Sequence, residues 1–373
     1  MPERPAPLVL VTTPPEGAAF GTHAAIAADG QRLLATELSR RLGRVGAAVA
    51  PLPASDIVDF HWGRWFTTAA RAALGDAAGT VDAIGYAGGS AMAVMSDDAL
   101  DALLSPVAGE VVANNRFSAD AFVVAGDLAA ALDALAGCES DNAAPRRLNE
   151  AGFAWRDLGS TPWARFDVDT TLDLALLRLA TRLPGTRPLD GSVRGYLEMA
   201  RLPGGGALEV PHLERIGEVI RDRSAQLVVA GRLPGATLQE LETETACRVR
   251  SFVEERGMRS ARTAGQPRSL LASFMARTSP AELVSELATL GDAVVLDSRV
   301  LMAARAGSAE VASWPPVEER FASDFGDAAR VATPWLRELT EAAAAARVPV
   351  LCGGHALVSD GLRLIVAAAW QGH

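Results

Sequence analysis

The chain has 373 residues and no lysine, so its 35 Lys-plus-Arg positions are all arginine. A Schiff-base mechanism and a lysine phosphate clamp are thereby excluded, and any anion must be met by the planar fork of arginine. Cysteine is equally sparse. Cys138, Cys247 and Cys352 are odd in number and far apart, which suits neither a disulfide framework nor a CxxC metal site and leads us to expect a reducing, cytoplasmic setting. No apolar run reaches eighteen residues, and Met1 to Leu8 is broken by proline rather than basic and then apolar, so neither a membrane span nor a signal peptide is expected. Positive charge is in deficit as well. A formal net charge of −10 with a pI near 5.1 argues against a nucleic-acid backbone binder, which needs clustered cations to displace counterions.

What the chain does have is apolar material, 49% of it, more than one hydrophobic core ordinarily uses. Apolar runs alternate with helical patterns, the signature of a three-layer α/β/α arrangement around a mainly parallel sheet. Strands are expected at Leu8–Thr12, Ala47–Pro51, Ala83–Ala87, Glu110–Asn114 and Ala121–Val124. Helices are expected at Ala28–Leu42, Trp65–Leu74, Asp97–Leu104, Leu128–Ala136 and Thr171–Thr181, the last with Leu172, Leu176, Leu179 and Ala180 on one face. Two breaker-rich stretches, Leu183 to Asp190 and Leu202 to Gly206, place a boundary near Gly204. Residues 1–203 then form the first domain and 204–373 a second, smaller α/β domain. In that second part, helices at Pro211–Arg223, Leu238–Thr245, Pro280–Leu290, Pro334–Ala345 and from Ser359 alternate with strands at Leu227–Ala230, Arg248–Val253, Ala293–Asp297 and Val348–Cys352.

Three constellations carry chemistry. In Phe166-Asp167-Val168-Asp169-Thr170-Thr171-Leu172-Asp173, an acidic strand end enters a helix. Asp167 and Asp169 fall on one face of an extended strand, spaced to share a Mg²⁺, while the alternative is that Asp169 and Asp173 serve the helix N-terminus. The cluster Asp59-Phe60-His61-Trp62-Gly63-Arg64-Trp65 offers Trp62 or Trp65 for stacking a base or sugar, with His61 or Arg64 on phosphate; equally, the tryptophans pin a loop to the core. In the second part, Gly231-Arg232, Asp297-Ser298-Arg299 and Gly353-Gly354-His355 each follow a strand. At one sheet edge Arg232, Arg299 and His355 make an anion pocket, extended by Arg248, Arg250, Arg256 and Arg259, unless these arginines pair with acids such as Glu242, Glu244, Glu254 and Glu255. Cys352, near His355, reads as a buried strand-end cysteine rather than a nucleophile.

The Asp-x-Asp-Thr-x-x-Asp-Leu run at Asp167–Leu174 resembles the closing motif of the nucleotidyltransferase superfamily of glycosyltransferase-A-like fold, which includes phospholactate guanylyltransferases and MobA-like enzymes. Ile84 to Ser90 followed by Met95 to Leu100 is similar to that family's central strand and capped helix, and the resemblance spans roughly residues 5 to 185. It implies transfer of a nucleotidyl group from an NTP to a phosphorylated small molecule, with Mg²⁺ on Asp169 and Asp167. Ser90 stands where the family has a metal-binding aspartate. Asn114 and Asn115, then Asp141 and Asn142, fall where the family binds its acceptor. The family's phosphate loop is replaced by Thr12-Thr13-Pro14-Pro15-Glu16-Gly17, leaving Arg32, Arg40 or Arg64 for phosphate. Three readings stand, a divergent Mg²⁺-dependent transferase, a non-catalytic nucleotide or phospho-sugar binder of the same fold, and chemistry in the second part at the Arg232, Arg299 and His355 edge, each compatible with a homo-oligomer.

Overall fold

Segments as continuously apolar as Leu8 to Val11 and Ala121 to Val124 demand a sheet covered on both faces, and the computed structural model of the chain shows one. It describes residues 5–14, 21–53, 60–76, 81–255, 267–308 and 311–371. Two units divide the chain. Unit 1 comprises Met1–Ala18, Ala28–Val168 and Gly185–Tyr196; unit 2 comprises Ala19–Ala27, Asp169–Pro184 and Leu197–His373.

The first part of the chain forms strands β1 (Leu8–Thr13), β2 (Ala48–Pro53), β3 (Ala83–Ala87), β4 (Glu110–Ala113), β5 (Ala121–Ala125) and β6 (Ala154–Asp157). Helices α1 (His23–Arg44), α2 (Trp62–Asp76), α3 (Asp97–Leu103), α4 (Leu128–Ala136) and α5 (Ala144–Glu150) are interleaved with them. The sheet of unit 1 runs β2-β1-β3-β5-β4-β6, parallel except for β5, which is antiparallel to both neighbours. Leu8, Leu10, Ile84, Tyr86, Phe122 and Val124 face one core, and Val9, Val11, Ala87, Val112 and Val123 face the other.

Helices α6 (Thr171–Ala180), α7 (Gly191–Met199) and α8 (Leu213–Arg221) follow, and then an α/β alternation: β7 (Gln226–Gly231), α9 (Gly235–Glu244), β8 (Arg248–Val253), α10 (Leu270–Arg277), α11 (Pro280–Thr289), β9 (Ala293–Asp297), α12 (Ser298–Ala306), α13 (Val317–Asp324), α14 (Pro334–Ala345), β10 (Val350–Gly353) and α15 (Leu362–Ala369). The four-stranded sheet of unit 2 is wholly parallel in the order β10-β9-β7-β8. Val228, Ala230, Val294, Leu296, Val350 and Cys352 pack on the α10–α14 side. The expected one-sided face of α6 is an understatement, because every residue of that helix except Arg178 is buried. A helix enclosed all round carries apolar residues off its stripe too. The mixed α/β class with a mainly parallel sheet therefore stands, and β6 adds a strand whose short, half-exposed pattern gave no periodic signal.

One buried side chain organises unit 1. Arg41, at 1% exposure, donates from Nε to Asp97 (2.9 Å), from Nη1 to the Met92 carbonyl (3.0 Å) and from Nη2 to the Met95 carbonyl (2.6 Å). Those carbonyls belong to the loop between β3 and α3. There Met92 takes the left-handed conformation (φ 58°), costly for a side-chain-bearing residue, while its N–H donates to Phe166 O at 3.0 Å. Replacing Arg41 by Met takes the donor from the buried Met95 carbonyl and leaves the Met92 carbonyl with only the Met95 N–H at 3.2 Å, which costs on the order of 1–3 kcal/mol. Arg41→Lys will not restore this, since one ammonium cannot reproduce the planar fork. Urea unfolding of the two variants is the check, and a midpoint unchanged in either would refute the clamp.

Candidate functional site

In unit 1 the chain leaves β1 for β2 on one side and returns to β3 on the other, so the carboxyl ends of β1 and β3 border the point where open α/β sheets receive ligands. A cavity of about 290 Å³ lies there, lined by Thr12, Thr13, Pro14, Gln31, Phe60, Trp65, Gly89 and Ser90. One wall is aromatic, Phe60 and Trp65 meeting edge-on with centroids 5.4 Å apart. The opposing chemistry is neutral and polar: hydroxyls of Thr12, Thr13 and Ser90 and the amide of Gln31, which also donates to Val168 O at 2.8 Å.

Gly89 is what lets the two strand ends close up. Its N–H donates to Thr12 Oγ1 at 2.8 Å, and a Cβ there would sit 2.3 Å from the Thr12 carbonyl and 2.7 Å from Ala35 Cβ. Any side chain would part β1 from the loop. The neighbouring Ser90 then donates from Oγ to Asp167 Oδ1 at 3.0 Å, and the same oxygen accepts from Val168 N at 2.8 Å.

The remaining expected residues of unit 1 separate sharply by role. Trp62 is core, 4% exposed and stacked on Phe66 at 5.0 Å, leaving Trp65 to face the cavity, because α2 begins three residues earlier than its periodicity indicates. Arg64 is exposed on the first turn of α2, its N–H donating to His61 Nδ1 at 3.4 Å. Asn114, wholly buried, accepts from the N–H groups of Asp120 and Ala121 (3.0 Å each) and donates to Ala164 O at 2.9 Å, which ties the β4–β5 connection in place. Asn115 accepts from Phe117 N within the same turn. Asp141 accepts from Tyr86 OH at 3.1 Å and Asn142 Oδ1 from Ser118 Oγ at 2.8 Å. Arg32 pairs with Asp29, and Arg40 with Asp190. Pro15, Glu16, Gly17, Asp59, Arg256, Arg259 and His373 lie outside the described residues.

In unit 2 the corresponding switch lies between β7 and β9, and side chains of the unit itself occupy it. Arg232 forks onto the fully buried Asp297 with Nε at 2.6 Å and Nη2 at 3.1 Å. Burial pushes the Asp297 carboxyl up, but the adjoining Arg232 guanidinium outweighs it and holds the group below the ordinary carboxylate value. Gly231 (φ 134°) makes this approach possible, since a Cβ there would lie 2.3 Å from Asp297 Cβ. Arg299 forks onto Asp324 at 2.7 and 2.6 Å. The two arginines expected to bind an anion are thus neutralised by aspartates from β9 and α13 rather than by the glutamates nearby in sequence. Cys352 is buried, and that burial drives its thiol up to about 12, which keeps it protonated, while His355 follows β10 close enough for its charge to act on Asp297.

Asp169 opens the unit 2 segment leading into α6, its side chain exposed and its N–H donating to Asp173 Oδ2 at 3.1 Å. Asp173 also accepts from Thr170 N at 2.8 Å, while Thr170 Oγ1 accepts from Asp173 N, a capping box. Sequence reasoning missed Thr12, Gln31, Phe60 and Gly89 in unit 1. The glycine pair that follows the Ala83–Ala87 strand could have marked Gly89, and the prolines that follow the first strand Thr12; Gln31 sits in a helix with nothing to distinguish it.

Among the described residues no group of three or more His, Cys, Asp or Glu is arranged to hold a metal. Nor is any helix among them long and apolar enough to cross a membrane. No protein-family model matches the chain, and no curated protein is significantly similar to it.

Burial, with the nearby Asp169 charge assisting, raises the Asp173 pKa from 3.8 to about 7 despite three N–H and O–H donors. The folded state therefore holds this proton where the unfolded chain has lost it, so the stabilisation is complete below about pH 4 and declines as pH rises towards 7. Melting temperatures of the chain and of Asp173→Asn, compared between pH 4 and 7.5, should diverge in that sense, the wild type losing ground to the variant as pH rises; parallel profiles would contradict it.

Proposed function

We propose that unit 1 is a nucleotide-binding domain related to the glycosyltransferase-A-like nucleotidyltransferases, with the base against Trp65 and Phe60 and the sugar–phosphate side on Thr12, Gln31 and Ser90. The observation that carries this is the cavity at the β1–β3 switch, one wall aromatic and the other made of uncharged hydrogen-bonding groups. Base stacking on an aromatic ring tolerates any base and contributes about 1–3 kcal/mol. Hydroxyl and amide groups then orient the ligand without requiring a counter-charge. The cavity is near the small end of ligand sites, typically ~300–1,000 Å³, which suits one nucleoside moiety better than a nucleotide and an acceptor together.

Among the described residues, the donors of this cavity do not match the Mg²⁺ that the resemblance implies. The cavity lining among those residues has no carboxylate, and Asp167 already accepts hydrogen bonds from Ser90 and Val168. Mg²⁺ is ordinarily held by one or two carboxylates together with substrate phosphates. Ligand binding is therefore the primary reading. A second reading, nucleotidyl transfer to a phosphorylated small molecule, is favoured by one contact, the Ser90–Asp167 hydrogen bond, which fixes a carboxylate at the same strand edge.

Calorimetric titration of the full chain with GTP, CTP, ATP and UTP, each with and without Mg²⁺, tests both. One nucleotide should bind, with Trp65→Ala weakening it by roughly 5–150-fold, the equivalent of about 1–3 kcal/mol of stacking. Binding that needs Mg²⁺ and disappears in Asp167→Asn would favour transfer. Silence with all four nucleotides would sink both readings.

A further inference from the structure

Residues 256 to 281 contain five arginines, Arg256, Arg259, Arg262, Arg268 and Arg277, and no aspartate or glutamate, within a chain of net charge −10. The first three lie outside the described residues. Arg268, just before α10, lines a cavity of about 560 Å³ in unit 2 whose lining also includes Arg305 in the last turn of α12. Leu270, Ala272, Met275 and Ala276 of α10 give it an apolar surface, and Ser273 adds a hydroxyl.

The sheet edge of the same unit treats its arginines differently. Arg232 and Arg299 are each neutralised by a buried aspartate. Arg268 and Arg305 pair with no carboxylate among the described residues; Arg305 instead has its guanidinium 5.3 Å from the Trp335 ring centroid. Stacking of this kind orients a guanidinium without using up its N–H donors. The adjoining Ser269 hydroxyl is committed, donating to Glu254 and capping α10, so it contributes structure rather than recognition.

Two uncompensated guanidinium groups beside an apolar surface select a ligand carrying negative charge at one end and hydrocarbon at the other. A neutral apolar ligand would leave both cations unused, and a bare anion would leave the apolar wall of α10 in water. The volume lies within the ~300–1,000 Å³ typical of sites for small organic molecules. We propose that the cavity between α10 and α12 binds a small amphiphilic anion, a phosphate or carboxylate head on an apolar body. The site is separate from the nucleotide cavity of unit 1 and does not rest on that reading.

The chain has seven methionines, and Met275 lines the cavity, so methyl NMR of the full chain labelled at methionine reports on it directly. Octyl phosphate, octanoate, octanol and inorganic phosphate would be titrated separately. The Met275 signal should move saturably with octyl phosphate or octanoate, and whichever binds more tightly identifies the head group. Octanol and inorganic phosphate should each bind at least about tenfold more weakly, and Arg268→Gln and Arg305→Gln should each weaken the preferred anion by about tenfold, the equivalent of one charge-assisted hydrogen bond. Neither side chain is part of the core, so unchanged melting temperatures would show that the variants keep their fold. A Met275 signal unmoved by both amphiphiles, octanol binding as tightly as its anionic counterparts, or undiminished binding in both glutamine variants would overturn the proposal.

Discussion

The conformation of unit 1 at its candidate site depends on a guanidinium buried where a hydrophobic side chain would be expected. Arg41 reaches from α1 to hold the loop that follows β3, and that loop presents Gly89 and Ser90 to the cavity. Desolvating such a group is expensive, and the cost is offset only because Asp97 and two carbonyls meet the fork in three directions. The left-handed Met92 is sustained by the same contacts. Arrangements of this sort store strain next to a binding surface and hold it fixed, which keeps donors in place before any ligand arrives.

The two sheets use their switch points in opposite ways. In unit 1 the strand ends are brought together by a glycine, and the space beside them stays open under an aromatic wall. In unit 2 a glycine with positive φ lets β7 and β9 approach so closely that Arg232 and Asp297 fill the crevice themselves. Fold alone therefore does not tell which sheet edge takes a ligand; the side chains at the strand ends decide it.

Much of the secondary structure was legible because strand and helix periods are local. Strands such as Ala83–Ala87, Ala121–Val124 and Ala293–Asp297 were marked by short apolar runs and turn residues, and their bounds lie within a residue of those found. The site was legible in part. Ser90 and Trp65, both singled out in the sequence, line the cavity, but Trp62 and Asn114 turned inward, because a polar or aromatic residue at a strand or helix end looks the same in sequence whether it braces the fold or faces a cavity. The partners of Arg232 and Arg299 were out of reach for a different reason. Asp297 and Asp324 lie 65 and 25 residues away, and only the folded chain brings them together.

The composition of unit 2 has a consequence for how the protein is made. Residues 169–184 belong to it, yet residues 185–196 belong to unit 1, so α6 leaves the ribosome well before the helices α13 and α15 that it packs with in unit 2. Leu172 and Leu176 approach Gly353 and Gly361, nearly two hundred residues later in the chain. At translation speeds of about 5–20 residues per second, this leucine-rich helix waits on the order of ten seconds or more for its neighbours. During that interval Leu172 and Leu176 lack the neighbours that cover them in the folded unit.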